Sequence, residues 1–239
     1  MGRNIFNLTV PEPLKSPIVG LLDIQYRMHP IIGQLVSELF YFGRLKHGVD
    51  MADREAIAKL APNAGAPIVV LDTVGRTVCK QGTGGQSRVN QKNAEACVEL
   101  AVEAVHSGAR SVAVITPYVD QARAIRNLLK ECPEESRVIE CSTVHRFQGQ
   151  ERDVVILDTV DTEPMRPGVL LTEYGPESSA QNLTNVAISR ARWKLIIVAD
   201  VMYFRRRASE GIVARMIARA LAVGKREILA VGDNSGDVA

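Results

Sequence analysis

Three short stretches of the 239-residue chain carry side chains that could act on an anionic group. They are QYRMHP (25–30, with Arg27), FQGQERD (147–153, with Glu151) and ISRAR (188–192, with Arg190). Arginine is always charged, and its planar fork matches phosphate and carboxylate oxygens. An arginine beside a transferring phosphoryl group stabilises the developing charge without covalent chemistry. For an isolated Tyr-Arg pair a solvated surface arginine is the simpler interpretation, so the surrounding elements must decide.

Five short apolar runs, rich in β-branched residues, predict the strands that position these side chains. They are APIVVLDT (66–73), SVAVITP (111–117), SRVIECST (136–143), DVVILDTV (153–160) and KLIIVAD (194–200). Each run is too short for a helix and is apolar on both faces, which is typical of central parallel strands covered by helices.

Helical patterns alternate with these strands. Residues 91–108 place one apolar stripe on a helix, followed by Gly108 as a stop signal, and residues 118–131 repeat the pattern. Residues 30–45 form a further amphipathic helix, and the basic segment 204–227 either packs as a terminal helix or docks on a partner. The alternation predicts an α/β fold, a three-layer parallel sheet, whose functional loops we expect at the carboxyl ends of the strands.

Composition limits the class of protein without identifying it. Hydrophobic residues make up 46% of the chain, enough for a substantial core, and the net charge of +2 does not by itself indicate nucleic-acid binding. The four cysteines have neither zinc-ligand spacing nor a disulfide framework, so we expect reduced thiols and no metal site. No run approaches the roughly 20 apolar residues needed to span a bilayer, and we expect a soluble, cytoplasmic protein without membrane contact.

A self-sufficient nucleotide site would need the phosphate-cradling pattern GxxxxGK[ST]. The chain has none: GTGGQSR lacks the lysine, and VGKRE lacks both the leading glycine and the hydroxyl. VVILDTVDTE (154–163) has the acidic pair of a magnesium-binding strand end, which leaves a P-loop-like hydrolase as the weakest alternative.

The combination of QYRMHP, STVHRFQGQERDVVIL (142–157) and NVAISRARWKLIIV (185–198), in this order and spacing, is far more specific. It resembles the second RecA-like domain of superfamily 1 helicases, in the branch that contains the nonsense-mediated-decay and replication-linked helicases. ITPY (115–118) fits the same pattern, and the resemblance covers about residues 20–200. It implies a RecA-like domain without its own P-loop over residues 21–230, between an N-terminal extension (1–20) and a tail (231–239).

The resemblance also implies roles for individual residues. Arg27 and Arg190 match the arginines that reach the γ-phosphate from the second domain and are the predicted catalytic residues. The nucleotide contacts that it implies come from Tyr26, Gln148, Gly149, Glu151 and Arg192. Within that set, Gln148 would couple the nucleotide to nucleic acid, while Arg192 could instead be a solvated neighbour. The alternative for Glu151 is a surface ion pair with Arg152.

Single-stranded DNA or RNA is the implied partner, bound through its backbone without base reading. The residues implied for this contact are Thr116, Pro117, Ser142, Thr143 and His145, although Ser and Thr also cap helices routinely. His29 is expected to orient the Arg27 loop, Trp193 to pack, and Arg192 and Lys194 to share a basic loop. Asn93 departs from the resemblance, since the family usually has an acidic residue there.

ATP with Mg²⁺ lies between two RecA-like domains in these enzymes, so the resemblance implies a first, P-loop-bearing domain as a second partner. We expect this chain to form part of an ATP-dependent helicase and to have little activity alone. A non-catalytic nucleic-acid or protein-binding module derived from such a domain is the alternative. Retention of Arg27, Arg190 and Glu151 together favours the motor domain.

Overall fold

The computed structural model describes residues 23–48, 55, 58–83, 85, 87–147, 150–175 and 178–230. The proposed extension (1–20) and tail (231–239) lie outside these residues, so the domain boundaries stay a prediction. The described helices, in chain order, are α1 (Pro30–Phe40), α2 (Gln91–His106), α3 (Val119–Leu128), α4 (Val169–Thr172), α5 (Ser179–Ile188), α6 (Val201–Arg207) and α7 (Ile212–Val223). The described strands are β1 (Ile24–Gln25), β2 (Lys46–His47), β3 (Ile68–Asp72), β4 (Lys80–Gln81), β5 (Arg88–Val89), β6 (Val112–Thr116), β7 (Ile139–Thr143), β8 (Arg152–Asp158), β9 (Ala191–Ala199) and β10 (Lys225–Ile228).

Six strands form one parallel sheet in the order β10-β3-β9-β8-β6-β7. All five predicted strands belong to it. Successive residues of each central strand face opposite layers, so Val70 and Ile197 pack with α1, α5 and α7, whereas Val69 and Ile196 pack with α2 and α3. Burial on both faces explains why the strand sequences are continuously apolar. The predicted three-layer, RecA-like α/β fold is confirmed.

The segment after β9 differs from the single terminal helix considered above. It forms α6 and α7, and then β10, which pairs with the edge strand β3. Ile212, Val213, Met216 and Ile217 are buried, as their spacing indicates. The chain therefore packs this segment on its own sheet.

Lys194 also lies elsewhere than predicted. It belongs to β9 rather than to a basic loop, and its side chain is fully buried. The ammonium donates hydrogen bonds to the carbonyl oxygens of Leu60 (2.5 Å), Pro62 (2.6 Å) and Asn63 (3.3 Å). Lys194 can be buried because three backbone acceptors from the loop before β3 replace the water that a buried ammonium loses.

The cysteines behave as the composition indicated. Cys79, Cys97 and Cys141 are buried, Cys132 is half-buried, and all four are free thiols. Burial raises the pKa of the Cys79 thiol to about 11 and that of Cys141 to about 12. The Cys79 and Cys141 thiols are therefore protonated packing groups at neutral pH.

Candidate functional site

Arg27, Glu151, Arg190 and Arg192 meet at one edge of the sheet, and we call them the amino-edge cluster. Glu151 precedes β8, and Arg190 and Arg192 flank the first residue of β9, so the start of two neighbouring strands holds three of the four. Arg27 joins them from the turn between β1 and α1, through a 3.4 Å hydrogen bond from Nη1 to the Ser189 carbonyl oxygen. Residues more than 120 positions apart thus form one charged surface.

The turn that carries Arg27 is held from both sides. The Gln25 side-chain oxygen accepts hydrogen bonds from the backbone amides of Arg27 (2.9 Å) and Met28 (2.7 Å), and its amide donates to the Met28 carbonyl (3.0 Å). His29 donates its backbone amide to the Arg192 carbonyl (2.6 Å). Its ring Nδ1 accepts from the Ile31 amide, which caps α1. The His29 ring thus caps α1, and its orienting role for the Arg27 turn stays a prediction. No pattern in the sequence singles out Gln25.

Glu151 lies between two arginines of the amino-edge cluster. Arg27 Nε lies 2.9 Å from Glu151 Oε2, and Arg192 Nε lies 3.7 Å from Oε1. Arg152, the alternative partner for this carboxylate, instead pairs with Glu140 and bonds only the backbone oxygen of Glu151. The simple surface pair between Glu151 and its neighbour is therefore absent among the described residues.

Arg190 is a half-buried arginine of the amino-edge cluster. Its Nε donates to the Val186 carbonyl (3.1 Å) and its Nη1 to the Gln150 carbonyl (3.3 Å). Burial, followed by the adjacent charge of Arg27, lowers the pKa of Arg190. Two guanidinium groups that repel each other across a shared carboxylate would be relieved by an additional anion.

Arg192 has contacts on both sides. Its Nη1 lies 3.8 Å from Asp153 Oδ1, and its guanidinium lies 4.9 Å from the centre of the Trp193 ring. Trp193 is half-buried in β9, as expected for a packing residue. Arg192 is thus held beside Glu151 rather than free in solvent.

The remaining residues of the predicted nucleotide set are less defined. Tyr26 lies next to the amino-edge cluster with 67% of its surface exposed. Gln148 and Gly149 lie outside the described residues. Their predicted roles remain predictions.

The residues predicted to bind nucleic acid lie at the opposite edge. Thr116 ends β6 and is followed by Pro117, and Ser142 and Thr143 end the adjacent strand β7. Thr116 is fully buried and Ser142 is 6% exposed, whereas Pro117 and Thr143 are half-buried and line a small apolar pocket. His145 falls in the turn Val144–Phe147, and its side chain lies outside the described part of the structure. Among the four members whose side chains are described, Pro117 and Thr143 are therefore the most accessible.

The two sets are separated by the length of the strands. Strands of five to seven residues at about 3.3 Å per residue put roughly 15–20 Å between the edges. Pro117 and Thr143 lie at the carboxyl ends of the strands, where we expect the functional loops, whereas the amino-edge cluster lies at the opposite ends. The cause is topological: Glu151, Arg190 and Arg192 come just before or at the start of their strands. Seven residues, 144–150, connect Thr143 to Glu151 along the chain.

The acidic pair considered for magnesium is a buried structural network. Asp158 accepts hydrogen bonds from the Asn93 amide (2.9 Å), the Gln121 amide (2.6 Å) and the Val160 backbone (2.9 Å). Burial raises its pKa to about 6. Within the described residues no group of His, Cys, Asp or Glu could hold a metal ion. The Asn93 departure has a physical reason here, because an acidic residue would put a second carboxylate against Asp158.

Asp161, the second member of that pair, is held by protein groups through one oxygen, while its buried Oδ1 has no hydrogen-bond partner among the described residues. Its Oδ2 receives Arg88 Nη1 (2.7 Å), the Gly168 amide (2.7 Å) and the Tyr118 hydroxyl (3.2 Å). Arg88 belongs to β5, so this pair attaches the β4–β5 hairpin beneath the carboxyl edge of the sheet. A stabilising role accounts for both carboxylates.

Fold and site together define a RecA-like α/β domain that presents arginines from one sheet edge and has no phosphate-binding loop in its sequence. Residues 3–202 match the model of a family described as AAA domain, which is most of the chain. The chain belongs to this family, as a C-terminal, second RecA-like domain of superfamily 1 helicases in the nonsense-mediated-decay and replication-helicase branch.

Several curated proteins are similar to this chain. "Regulator of nonsense transcripts 1 homolog" of Neurospora crassa is 30% identical over 187 residues, covering 75% of this chain and 16% of that protein. "5'-3' DNA helicase ZGRF1" of Mus musculus is 30% identical over 198 residues, covering 78% of this chain and 9% of that protein. "DNA polymerase alpha-associated DNA helicase A" of Schizosaccharomyces pombe is 29% identical over 191 residues, covering 75% and 27%. The chain thus spans about a quarter or less of the length of these relatives.

A solved structure also matches. The C-terminal domain of a possible DNA helicase from Lactobacillus plantarum WCFS1 aligns with 85% of this chain and 98% of that one, at 15% identity and a TM-score of 0.44. The alignment is too distant to inform the site. Across the described ranges, none of the helices has the length and apolar character required to cross a membrane.

Proposed function

We propose that this chain is the second motor domain of an ATP-dependent DNA or RNA helicase. The observation that carries the proposal is the amino-edge cluster, in which Arg27 and Arg190 are held side by side around Glu151. A structural ion pair needs one arginine for one carboxylate, whereas Arg27 and Arg192 both pair with Glu151, and Arg190 is close enough to feel its charge. Asp153 lies 3.8 Å from Arg192. The surplus positive charge is suited to the γ-phosphate of ATP.

The nucleotide in this proposal is shared with a P-loop domain, in the same or another chain. Because these 239 residues contain no GxxxxGK[ST] stretch, the phosphate cradle and the Mg²⁺ ligands come from that partner. Arg27 and Arg190 then act across the cleft as arginine fingers and stabilise the charge of the transition state. Glu151, now paired with Arg27, exchanges that partner for the nucleotide when the cleft closes. Tyr26, Gln148, Gly149 and Arg192 complete the nucleotide side of the site.

Nucleic acid lies on the other edge, along Pro117 and Thr143 and the adjoining turn with His145. Thr116 and Ser142 support these residues from beneath, since both are buried. The contact is to phosphates and sugars, which suits a motor that must move along any sequence. The seven residues 144–150 connect this contact to Glu151, so a change at one edge is transmitted to the other through a short segment.

The test is ATP hydrolysis by the chain together with its P-loop partner domain, with and without a single-stranded oligonucleotide. Arg190→Gln should lower kcat by about 10³-fold or more, the range known for arginine fingers. Arg27→Gln should act in the same direction. Arg137→Gln, at an exposed position before β7, removes one charge outside the site and serves as the matched control.

The non-catalytic binding module makes the opposite prediction. In that case the chain binds oligonucleotide, and neither Arg27→Gln nor Arg190→Gln changes the hydrolysis rate of the partner domain. Equal rates for Arg190→Gln and Arg137→Gln would therefore contradict the motor-domain proposal.

A further inference from the structure

A second basic surface lies at the carboxyl edge, between the loop before α4 and the helices α6 and α7. It is an open cleft of about 830 Å³, and we call it the basic cleft. Its charged lining consists of four arginines and one carboxylate, namely Arg166, Arg206, Arg207, Arg215 and Glu210. Such an excess of arginine indicates an anionic ligand.

Two of the four arginines are already oriented by carboxylates. Arg207 makes a bidentate contact with Glu163 (2.8 and 3.1 Å from Nη2), and Arg215 pairs with Glu210 (2.5 Å). Arg166 and Arg206 have no carboxylate partner in the described part of the chain, and both are exposed. The Arg206 Nε makes only a long hydrogen bond, 3.4 Å, to the Met202 carbonyl. These two guanidinium groups are therefore available to a ligand.

The cleft also contains an aromatic side chain. Tyr174 is half-exposed, and the Arg215 guanidinium lies 4.4 Å from the centre of its ring. The start of α7, at Gly211, closes the same cleft and adds the positive end of a twelve-residue helix. Arginines beside an aromatic ring are the combination that binds the backbone and bases of a single strand.

The position of the basic cleft connects it to Pro117 and Thr143. The small pocket lined by those two residues is closed on its far side by Leu170 and Leu171 of α4 and by Val213 of α7. The basic cleft is lined by Thr172 and Arg215 of the same two helices. Only one residue step on α4 and two on α7 thus separate the linings of the two surfaces.

We propose that the basic cleft binds the phosphate backbone of the single strand beyond Pro117 and Thr143, with Arg166 and Arg206 as the principal phosphate contacts. This inference rests on the proposed nucleic-acid contact at the carboxyl edge. It extends that contact over α4 and adds Tyr174 as a surface on which a base stacks.

The test is fluorescence anisotropy of labelled oligo(dT) and oligo(U), about 4 to 16 nucleotides long, with the full chain. Arg166→Gln/Arg206→Gln should weaken binding of the longest strands about fivefold or more, and should leave the shortest unchanged. Between about 50 and 200 mM salt, the loss of two phosphate contacts should reduce the slope of log K against log salt by about 1.4. The matched control is Arg110→Gln/Arg137→Gln, which removes two exposed arginines outside the cleft.

Two results would overturn the inference while leaving the proposed function intact. One is a cleft variant that binds long strands as tightly as the control pair does, with the same salt slope. The other is equal weakening of the shortest and longest strands, which contradicts an extension of the strand path. Failure of the unmodified chain to bind any strand would instead count against the nucleic-acid role itself, and this inference would fall with it.

Discussion

Replacing Lys194 with methionine should destabilise the fold, although lysine would ordinarily be expected at the surface. The substitution keeps the length and most of the volume of the side chain but removes the ammonium. It leaves three buried carbonyl oxygens, of Leu60, Pro62 and Asn63, without their donor. Those residues belong to the loop before β3, so the loss also loosens that loop from β9.

The magnitude follows from two opposing contributions. Each orphaned acceptor costs about 1–3 kcal/mol, whereas removing a buried charge recovers several kcal/mol of desolvation. Lys194→Met should therefore lower the free energy of unfolding at pH 7 by about 2 kcal/mol.

Burial also lowers the pKa of Lys194 to about 8, from 10.5. Its contribution to stability is therefore fully present above about pH 10.5 and is lost as the pH falls through about 8. The advantage of the natural chain over Lys194→Met should grow by up to about 3 kcal/mol between pH 7 and 10.5.

The assay is urea-induced unfolding of both chains from pH 7 to 10.5, followed by far-UV circular dichroism. Lys130→Met is the matched control, because Lys130 is exposed and bonds only Asn127; it should change the free energy of unfolding by about 0.5 kcal/mol or less. If Lys194→Met behaved like this control and its difference from the natural chain did not vary with pH, the buried ammonium would be refuted.

Two further predictions concern the carboxylates beneath the carboxyl edge. Arg88→Met should lower the free energy of urea unfolding by about 3–5 kcal/mol, because it leaves the buried Asp161 charge unpaired. Arg123→Met, which breaks the more exposed pair with Asp120, is the control and should lower it by less than about 1 kcal/mol. Equal losses in the two variants would contradict the buried pair. Burial raises the pKa of Asp158 to about 6 from 3.8, so its contribution to stability is fully present below about pH 3.8 and is lost as the pH rises through about 6. Relative to the non-titrating Asp158→Asn variant, the natural chain should lose up to about 3 kcal/mol between pH 4 and 7, and a pH-independent difference would exclude this titration.

The layers of the fold could be predicted from sequence because the central strands are buried on both faces. Runs such as 111–117 and 153–160 are continuously apolar, and no other element of that length fits them. Strand β10 gave no such signal. It lies at the sheet edge and reads Lys-Arg-Glu-Ile, so its pairing with β3 depends on backbone hydrogen bonds rather than on apolar side chains.

The site could be predicted only through the family resemblance. Arg27 and Arg190 are separated by 162 other residues in the chain, and no local pattern indicates that both lie at the same edge of the sheet. Gln25 was missed for a different reason, since its contacts with the backbone of Arg27 and Met28 are local but lie in an irregular turn. Lys194 was misplaced because a lysine among apolar residues normally marks a boundary, and the acceptors that bury it come from a distant loop.

The most direct test of the central claim is steady-state ATP hydrolysis by this purified chain alone, with and without a mixed single-stranded oligonucleotide, beside Arg190→Ala. A domain that provides only the arginine half of a shared site should show no turnover above background in either form. Stimulated turnover that disappears in Arg190→Ala would contradict the claim, because the chain would then contain a complete nucleotide site of its own.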